Sequence, residues 1–309
     1  MIELEHVTRT FGERRALDDV SFVVRRGRTT GFVGGNGAGK TTAMRIVMGV
    51  LTPDAGQVRL DGRVLDPATR RGFGYMPEER GLYPKMKVVD QLAFLARLHG
   101  YDASTARARA MDLLERLDLA ARAGDPVDSL SLGNQQRAQV AAALVHDPDV
   151  LVLDEPFSGL DPIAVDAVAS VLVAHARAGA PVLFSSHQLD VVERLCDDLV
   201  IIAGGRVVAA GSREELRAAH AGSRFELVAS DTGWLREVPG VQVVEFAADE
   251  AVFDADEATA QEVLRAALVR GPVRRFGPVV PTLAEIFREL MADGAVHDGA
   301  AHDGAQVAA

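Results

Sequence analysis

The chain has 309 residues, a formal net charge of -11 at pH 7 and one cysteine, Cys196. This length holds one large core, or a main domain of about 200 residues with a smaller one, and two domains are expected. The acidic balance excludes general affinity for nucleic acid or anionic lipid, and a lone cysteine excludes an internal disulfide and fits a reducing cytoplasm.

The start carries Glu3 and Glu5 where a secretory signal needs basic and then apolar residues, so no signal peptide is expected. The first third alternates short apolar runs with turn residues: Ile2 to Val7, Ala16 to Val24, Thr30 to Val33, Val58 to Leu60 and Phe73 to Met76. These read as strands. From Val88 to His146 the spacing becomes helical, as in Leu92, Leu95, Ala96 and Leu98, then Met111, Leu114 and Leu117. A helical insert over about residues 88–146 is predicted. Val150 to Leu153, Val182 to Ser185 and Leu199 to Ile202 are continuous apolar runs with helical segments between them, the pattern of buried parallel strands in an α/β core. Past Gly211 come Phe225 to Val228, Val241 to Phe246 and Val252-Phe253, then a helical stretch from Thr259 to Val269. A small α+β domain over residues 222–291 is expected. Residues 294–309 are rich in Gly and Ala and twice spell His-Asp-Gly-Ala, which reads as a disordered tail and not as a metal site. No uncharged apolar run approaches the ~18 residues that cross a bilayer, so any membrane contact is expected to go through another subunit.

Gly34-Gly35-Asn36-Gly37-Ala38-Gly39-Lys40-Thr41 fits GxxxxGK[ST]. It follows a predicted strand and opens a predicted helix from Thr42 to Met48, the context that separates a phosphate-binding loop from a glycine-rich turn. Glycines let successive N–H groups face phosphates, and the helix N-terminus adds its dipole. Lys40 would reach the β- and γ-phosphates and Thr41 a magnesium ion. Lysine is rare here, occurring only at Lys40, Lys85 and Lys87, which strengthens the assignment.

Val150 to Asp154-Glu155 has the form of a buried strand ending in two carboxylates. Asp154 would hold Mg²⁺, and Glu155 would polarise an attacking water as general base. Taken alone, Asp154-Glu155-Pro156 reads more readily as a helix entrance. Upstream, Ser131 in Leu130-Ser131-Leu132-Gly133-Asn134-Gln135-Gln136-Arg137 has the chemistry of a helix N-cap. A helix start that exposes N–H groups and a serine hydroxyl is also a good phosphate ligand.

The phosphate loop, the 130–137 run, Asp154-Glu155, Ser158-Gly159-Leu160-Asp161 and His187 occur in the order and at the spacing of ATP-binding cassette (ABC) ATPases, which residues 1–215 resemble. The resemblance implies a P-loop α/β domain with a mixed sheet and helical insert, which binds ATP and Mg²⁺ and hydrolyses ATP. It implies that the 130–137 run is the family's signature, with Ser131 and Gly133 serving nucleotide held by a second subunit, expected to be another copy. Asp161 would belong to the D-loop beside that nucleotide, and His187 would be the switch histidine at the γ-phosphate. Phe11 occupies the position of the aromatic residue that stacks on adenine, although core packing accounts for it equally well.

Four positions depart from the family pattern. Gly35 stands where proline is common, which should loosen the loop without removing a phosphate ligand. Leu132 and Asn134 replace a glycine and a glutamine of the signature. Glu78, in Tyr75-Met76-Pro77-Glu78, stands where the family has the glutamine that touches Mg²⁺ and water; it keeps an oxygen ligand and adds charge. The following Glu79-Arg80-Gly81-Leu82-Tyr83-Pro84 lies where relatives receive the membrane subunit, though its apolar residues could equally pack internally. That stretch, the altered signature, the appended domain and Pro281 to Phe287 are similar to exporters of the drug-resistance and sodium-efflux branch. The implied role is to power export through a separate permease from the cytoplasmic face of the membrane. The rival reading is a soluble regulatory or translation-associated ATPase of the same family.

Overall fold

The computed structural model describes residues 1–79, 81–220 and 223–290. Arg80 and the His-Asp-Gly-Ala tail lie outside the described residues. The chain opens with β1 (Ile2–Phe11), β2 (Arg14–Val24) and β3 (Thr29–Val33), then α1 (Lys40–Val47), β4 (Ala55–Leu60), β5 (Arg63–Val64) and β6 (Phe73–Met76). Three helices follow, α2 (Val88–Leu98), α3 (Ala103–Arg116) and α4 (Leu132–Leu144). After them come β7 (Val150–Leu153), α5 (Pro162–Arg177), β8 (Val182–Ser186), α6 (Leu189–Leu195), β9 (Asp198–Ala203) and β10 (Arg206–Ser212).

These elements form two sheets. A six-stranded sheet runs in the order β10-β9-β3-β8-β7-β6, parallel throughout except for β10 against β9. A four-stranded antiparallel sheet runs β2-β1-β4-β5. Every residue of β3, β7 and β8 is buried, as parallel strands covered on both faces require, which is why β7 is an unbroken apolar run and why the threonines of β3 and serines of β8 are buried with it. Between the sheets, Phe22 and Phe32 meet at 5.1 Å and pack with Ile2, Leu17, Met44 and Ile46.

Strand order places the site. β3, β8 and β7 are adjacent, so the phosphate loop after β3, His187 after β8 and Asp154-Glu155 after β7 emerge at one sheet edge. In such sheets ligands bind beyond the carboxyl ends of the strands. The helical stretch from 88 to 146 is present, but α4 is more than part of an insert. It packs against β6 and β7 as well as α2 and α3, and so links the two halves of the unit.

A second compact unit is built on Glu214–Glu289. Its elements are α7 (Arg213–His220), β11 (Arg224–Ala229), β12 (Gln242–Ala247), β13 (Glu250–Asp254), α8 (Glu257–Arg270) and β14 (Val273–Pro278), and residues 283–290 are helical. The antiparallel sheet has the order β12-β13-β11-β14. Leu227, Leu235, Phe253 and Val263 form its core, and Asp256 caps α8 by accepting from the Thr259 N–H.

Candidate active site

The phosphate loop turns tightly because two of its glycines take left-handed backbone: Gly37 at φ 75° and Gly39 at φ 111°. Gly39 starts α1 with no side-chain cap, and the first turn carries no acidic residue, so its N–H groups are not claimed by a side chain. Lys40 is buried, and its Nζ donates to the carbonyls of Gly34 at 2.7 Å and Gly35 at 3.2 Å. The ammonium thus lies folded across the loop it would help to charge. A Cβ at Gly35 would meet nothing within 4 Å, so glycine in place of proline is not forced by space.

Opposite the loop, Thr41 Oγ1 donates to Asp154 Oδ2 at 2.7 Å. Ser185 supplies a second tie, donating to Asp154 Oδ1 at 2.6 Å and accepting the Glu155 N–H at 2.8 Å. Glu155 has φ 52°, a backbone region that is strained for a side chain of this size. The strain is held by the Ser185 bond on one side and, on the other, by Gln136 Nε2 donating to the Glu155 carbonyl at 2.8 Å. The Glu155 carboxylate in turn meets His187, with Nδ1 2.9 Å from Oε2.

A cleft of about 580 Å³ gathers these groups: Phe11, Asn36 through Thr42, Glu78, Asp154 and Glu155 all line it, with Arg14 and Ala16. Phe11 is 44% exposed, which removes core packing as its role, and the Arg9 guanidinium lies 4.9 Å from its ring centre. Of the residues expected from the sequence, Gly34, Gly35 and His187 border the site without lining this cleft, and Ser131, Gly133 and Asp161 also stand outside it. Ser131 caps α4 by accepting from the Asn134 N–H at 3.3 Å, and is exposed. Gly133 lies beside the 158–161 turn, where a Cβ would come 3.4 Å from the Gly159 carbonyl. Asp161 accepts from the Ala164 N–H at 2.8 Å and caps α5. Within one chain, therefore, these residues are helix caps or close-packed turn positions.

The donor set suits Mg²⁺ and a nucleotide. Thr41, Glu78 and Asp154 offer hard oxygen ligands of the kind magnesium takes. Among the described residues no group of three or more His, Cys, Asp or Glu could cage a metal, so the ion would share nucleotide phosphate oxygens. Bound there, Mg²⁺ would offset charge on the phosphates. The Glu155 carboxylate lines the same cleft and would be the group to accept a proton from water there.

Sequence reasoning missed three contributors. Arg14 donates from Nη2 to the Gly37 carbonyl at 2.8 Å and forms part of the cleft wall. Ser185 and Gln136 fix Asp154 and Glu155 from neighbouring elements. Their partners lie 23, 30 and 19 residues away, so the contacts made by Arg14, Ser185 and Gln136 are not readable from neighbouring residues, even though Gln136 lies in the 130–137 run.

Comparison with known proteins agrees with this geometry. The ABC transporter family model matches residues 17–158, and the C-terminal domain of DrrA1-3-like ATP-binding proteins matches residues 211–291. The chain is 37% identical over 300 residues to an uncharacterised ABC transporter ATP-binding protein, YhaQ, of Bacillus subtilis (strain 168), covering 96% of this chain and 100% of that one. It is 39% identical to Nod factor export ATP-binding protein I of Ralstonia nicotianae, covering 70% of this chain and 68% of that one. A solved ATP-binding subunit of an ABC transporter superposes with a TM-score of 0.66 at 32% identity, over 71% of this chain and 92% of that one. The chain belongs to the family of ABC transporter ATP-binding proteins.

Proposed function

We propose that this protein binds Mg²⁺-ATP, hydrolyses it to ADP and phosphate as a dimer of two copies, and drives export through a separate membrane permease. The observation that carries the catalytic reading is Glu155, held at both ends of its own peptide by Ser185 and Gln136, with its carboxylate against His187. A carboxylate set on a strained backbone that its neighbours hold in place suits a general base. Lys40, Thr41, Asp154 and Glu78 are the phosphate and metal ligands of this reading, with Phe11 under the base. Ser131 and Gly133 serve the nucleotide of the second copy, which accounts for a serine cap left exposed outside the cleft. Asp161 acts beside them.

Export is supported by the name of the Ralstonia relative and by the DrrA1-3-like second domain. Among the described residues no helix is long and apolar enough to cross a membrane, so on this reading the protein sits peripherally on the cytoplasmic face of its permease. Leu82 is half-buried and Tyr83 is 65% exposed, which offers the permease an aromatic contact just past Glu78. The test is gentle detergent extraction of the tagged protein from its host's membranes. Co-purification of one integral membrane protein that stimulates ATP hydrolysis is expected; ATPase activity with no membrane partner would favour a soluble regulator.

A further inference from the structure

Gln139 lies eight positions beyond Ser131 on α4 and is 4% exposed. Its Nε2 donates to two carbonyls, those of Pro77 and Glu79, each at 2.9 Å. Both partners are acceptors, which fixes the orientation of the amide. Glu78 stands between them, in the wall of the nucleotide cleft. The Pro77 carbonyl belongs to the peptide unit that enters Glu78, and the Glu79 carbonyl lies one residue past it. On the strand side, the Asp154 N–H holds the Met76 carbonyl at 2.8 Å. Backbone carbonyls on both sides of Glu78 are thus fastened, one to the Asp154 strand end and two to the helix that begins at Ser131.

We propose that Gln139 is a positioning residue for Glu78, which makes the placement of that carboxylate depend on the position of α4. The proposal rests on the reading of Glu78 as a metal ligand given above. A helix moves as a stiff body, and a buried amide keeps its acceptors when it can, because leaving them unpaired is costly. A shift of α4 at its Ser131 end therefore carries the 77–79 backbone with it. The same side chain lines a groove of about 160 Å³ with Leu82, Pro84, Val127, Asp128 and Gln135. Changes in that groove reach Glu78 through the same two hydrogen bonds.

The test uses the full chain, a non-hydrolysable ATP analogue and Mn²⁺ as the metal probe, with bound ion measured by electron paramagnetic resonance. Gln139→Met keeps the length and helix-forming character of the side chain and removes both donors. Mn²⁺ should bind about tenfold more weakly, the size of effect seen when a ligand's supporting partner is lost. Binding of the analogue without metal should be unchanged, because no bond to the phosphate loop is altered. In a Glu78→Ala background, Gln139→Met should add nothing further, which is the coupling a double-mutant cycle detects. Should Gln139→Met fold poorly, Gln139→Asn, one methylene short of both carbonyls, takes its place in the same cycle. Unchanged Mn²⁺ affinity, or an additive loss in the Glu78→Ala background, overturns the proposal. A wild-type protein that binds the analogue but retains no Mn²⁺ with it overturns the metal reading of the site, and this inference with it.

Discussion

His187 Nδ1 lies 2.9 Å from Glu155 Oε2, joining the residue after β8 to the carboxylate after β7. The contact exists because β7 and β8 are sheet neighbours in parallel register, with Leu153 opposite Phe184. His187 is largely exposed while Glu155 is mostly covered and lines the cleft. On the proposed reading, sensing and base chemistry would be divided between these two residues, 32 positions apart.

Glu155→Gln keeps the shape of the side chain and removes the carboxylate proposed as the base. ATP hydrolysis should fall by about 10²–10⁴-fold, while ATP binding and ATP-stabilised dimers persist in sedimentation. His187→Ala leaves the Ser185 and Gln136 bonds to the Glu155 backbone in place and should cost less. Wild-type phosphate release by Glu155→Gln would remove Glu155 from the role of base.

Ser185→Ala deletes a hydroxyl that is fully buried and serves two neighbours at once. The Glu155 N–H loses its acceptor and Asp154 Oδ1 its donor. Leaving a buried polar group unpaired costs about 1–3 kcal/mol, which urea unfolding should report. Hydrolysis should fall as well, since the strained backbone at Glu155 loses one of its supports. Unfolding that matches wild type would show that water replaces the hydroxyl.

Gly39→Ala sets a Cβ 2.6 Å from the Ala16 carbonyl and 2.8 Å from Leu17 Cδ2, at a φ of 111° that other residues rarely adopt. The loop must open, and binding of a fluorescent ATP analogue should be lost. Gly35→Ala meets nothing within 4 Å and has no left-handed φ, so its loss should be far smaller. Equal losses at the two glycines would contradict this account of the loop.

How much of this was legible in the sequence depended on whether the signal was local. The phosphate loop, the apolar runs that make β7 and most of β8, and the serine cap at Ser131 are each written in a few consecutive residues. β10 and β14 were not foreseen. The hairpin into β10 did carry a signal: Ala203 pairs with Arg206 across Gly204-Gly205, both with positive φ, the two-residue turn that glycine pairs favour. In β14, Arg274 and Arg275 interrupt the apolar pattern, and their ion pairs with Asp249 and Glu226 appear only once the sheet is assembled. The contacts of Ser185, Gln136 and Gln139 had no local pattern to read, because their partners lie 30, 19 and about 60 residues away.

His146 gives a test of packing that needs no nucleotide. Its ring stacks on His99 at 3.8 Å, and its Nε2 lies 3.2 Å from the Phe73 carbonyl, the distance at which the neutral ring donates. Burial, with added repulsion from His99, pushes its pKa down from 6.5 to about 4. A histidine depressed in the folded state favours folding in its neutral form. Its contribution is therefore full above the unfolded value of about 6.5 and is lost as pH falls through about 4. His146→Gln can still donate an N–H toward Phe73 and does not titrate. The wild-type protein should lose more thermal stability than His146→Gln between pH 7 and pH 4. His175, also depressed mainly by burial, remains in both proteins and cancels in the difference. Parallel melting-temperature curves across that range would mean that the His146 ring becomes charged without cost, which its half-buried position against the His99 ring argues against.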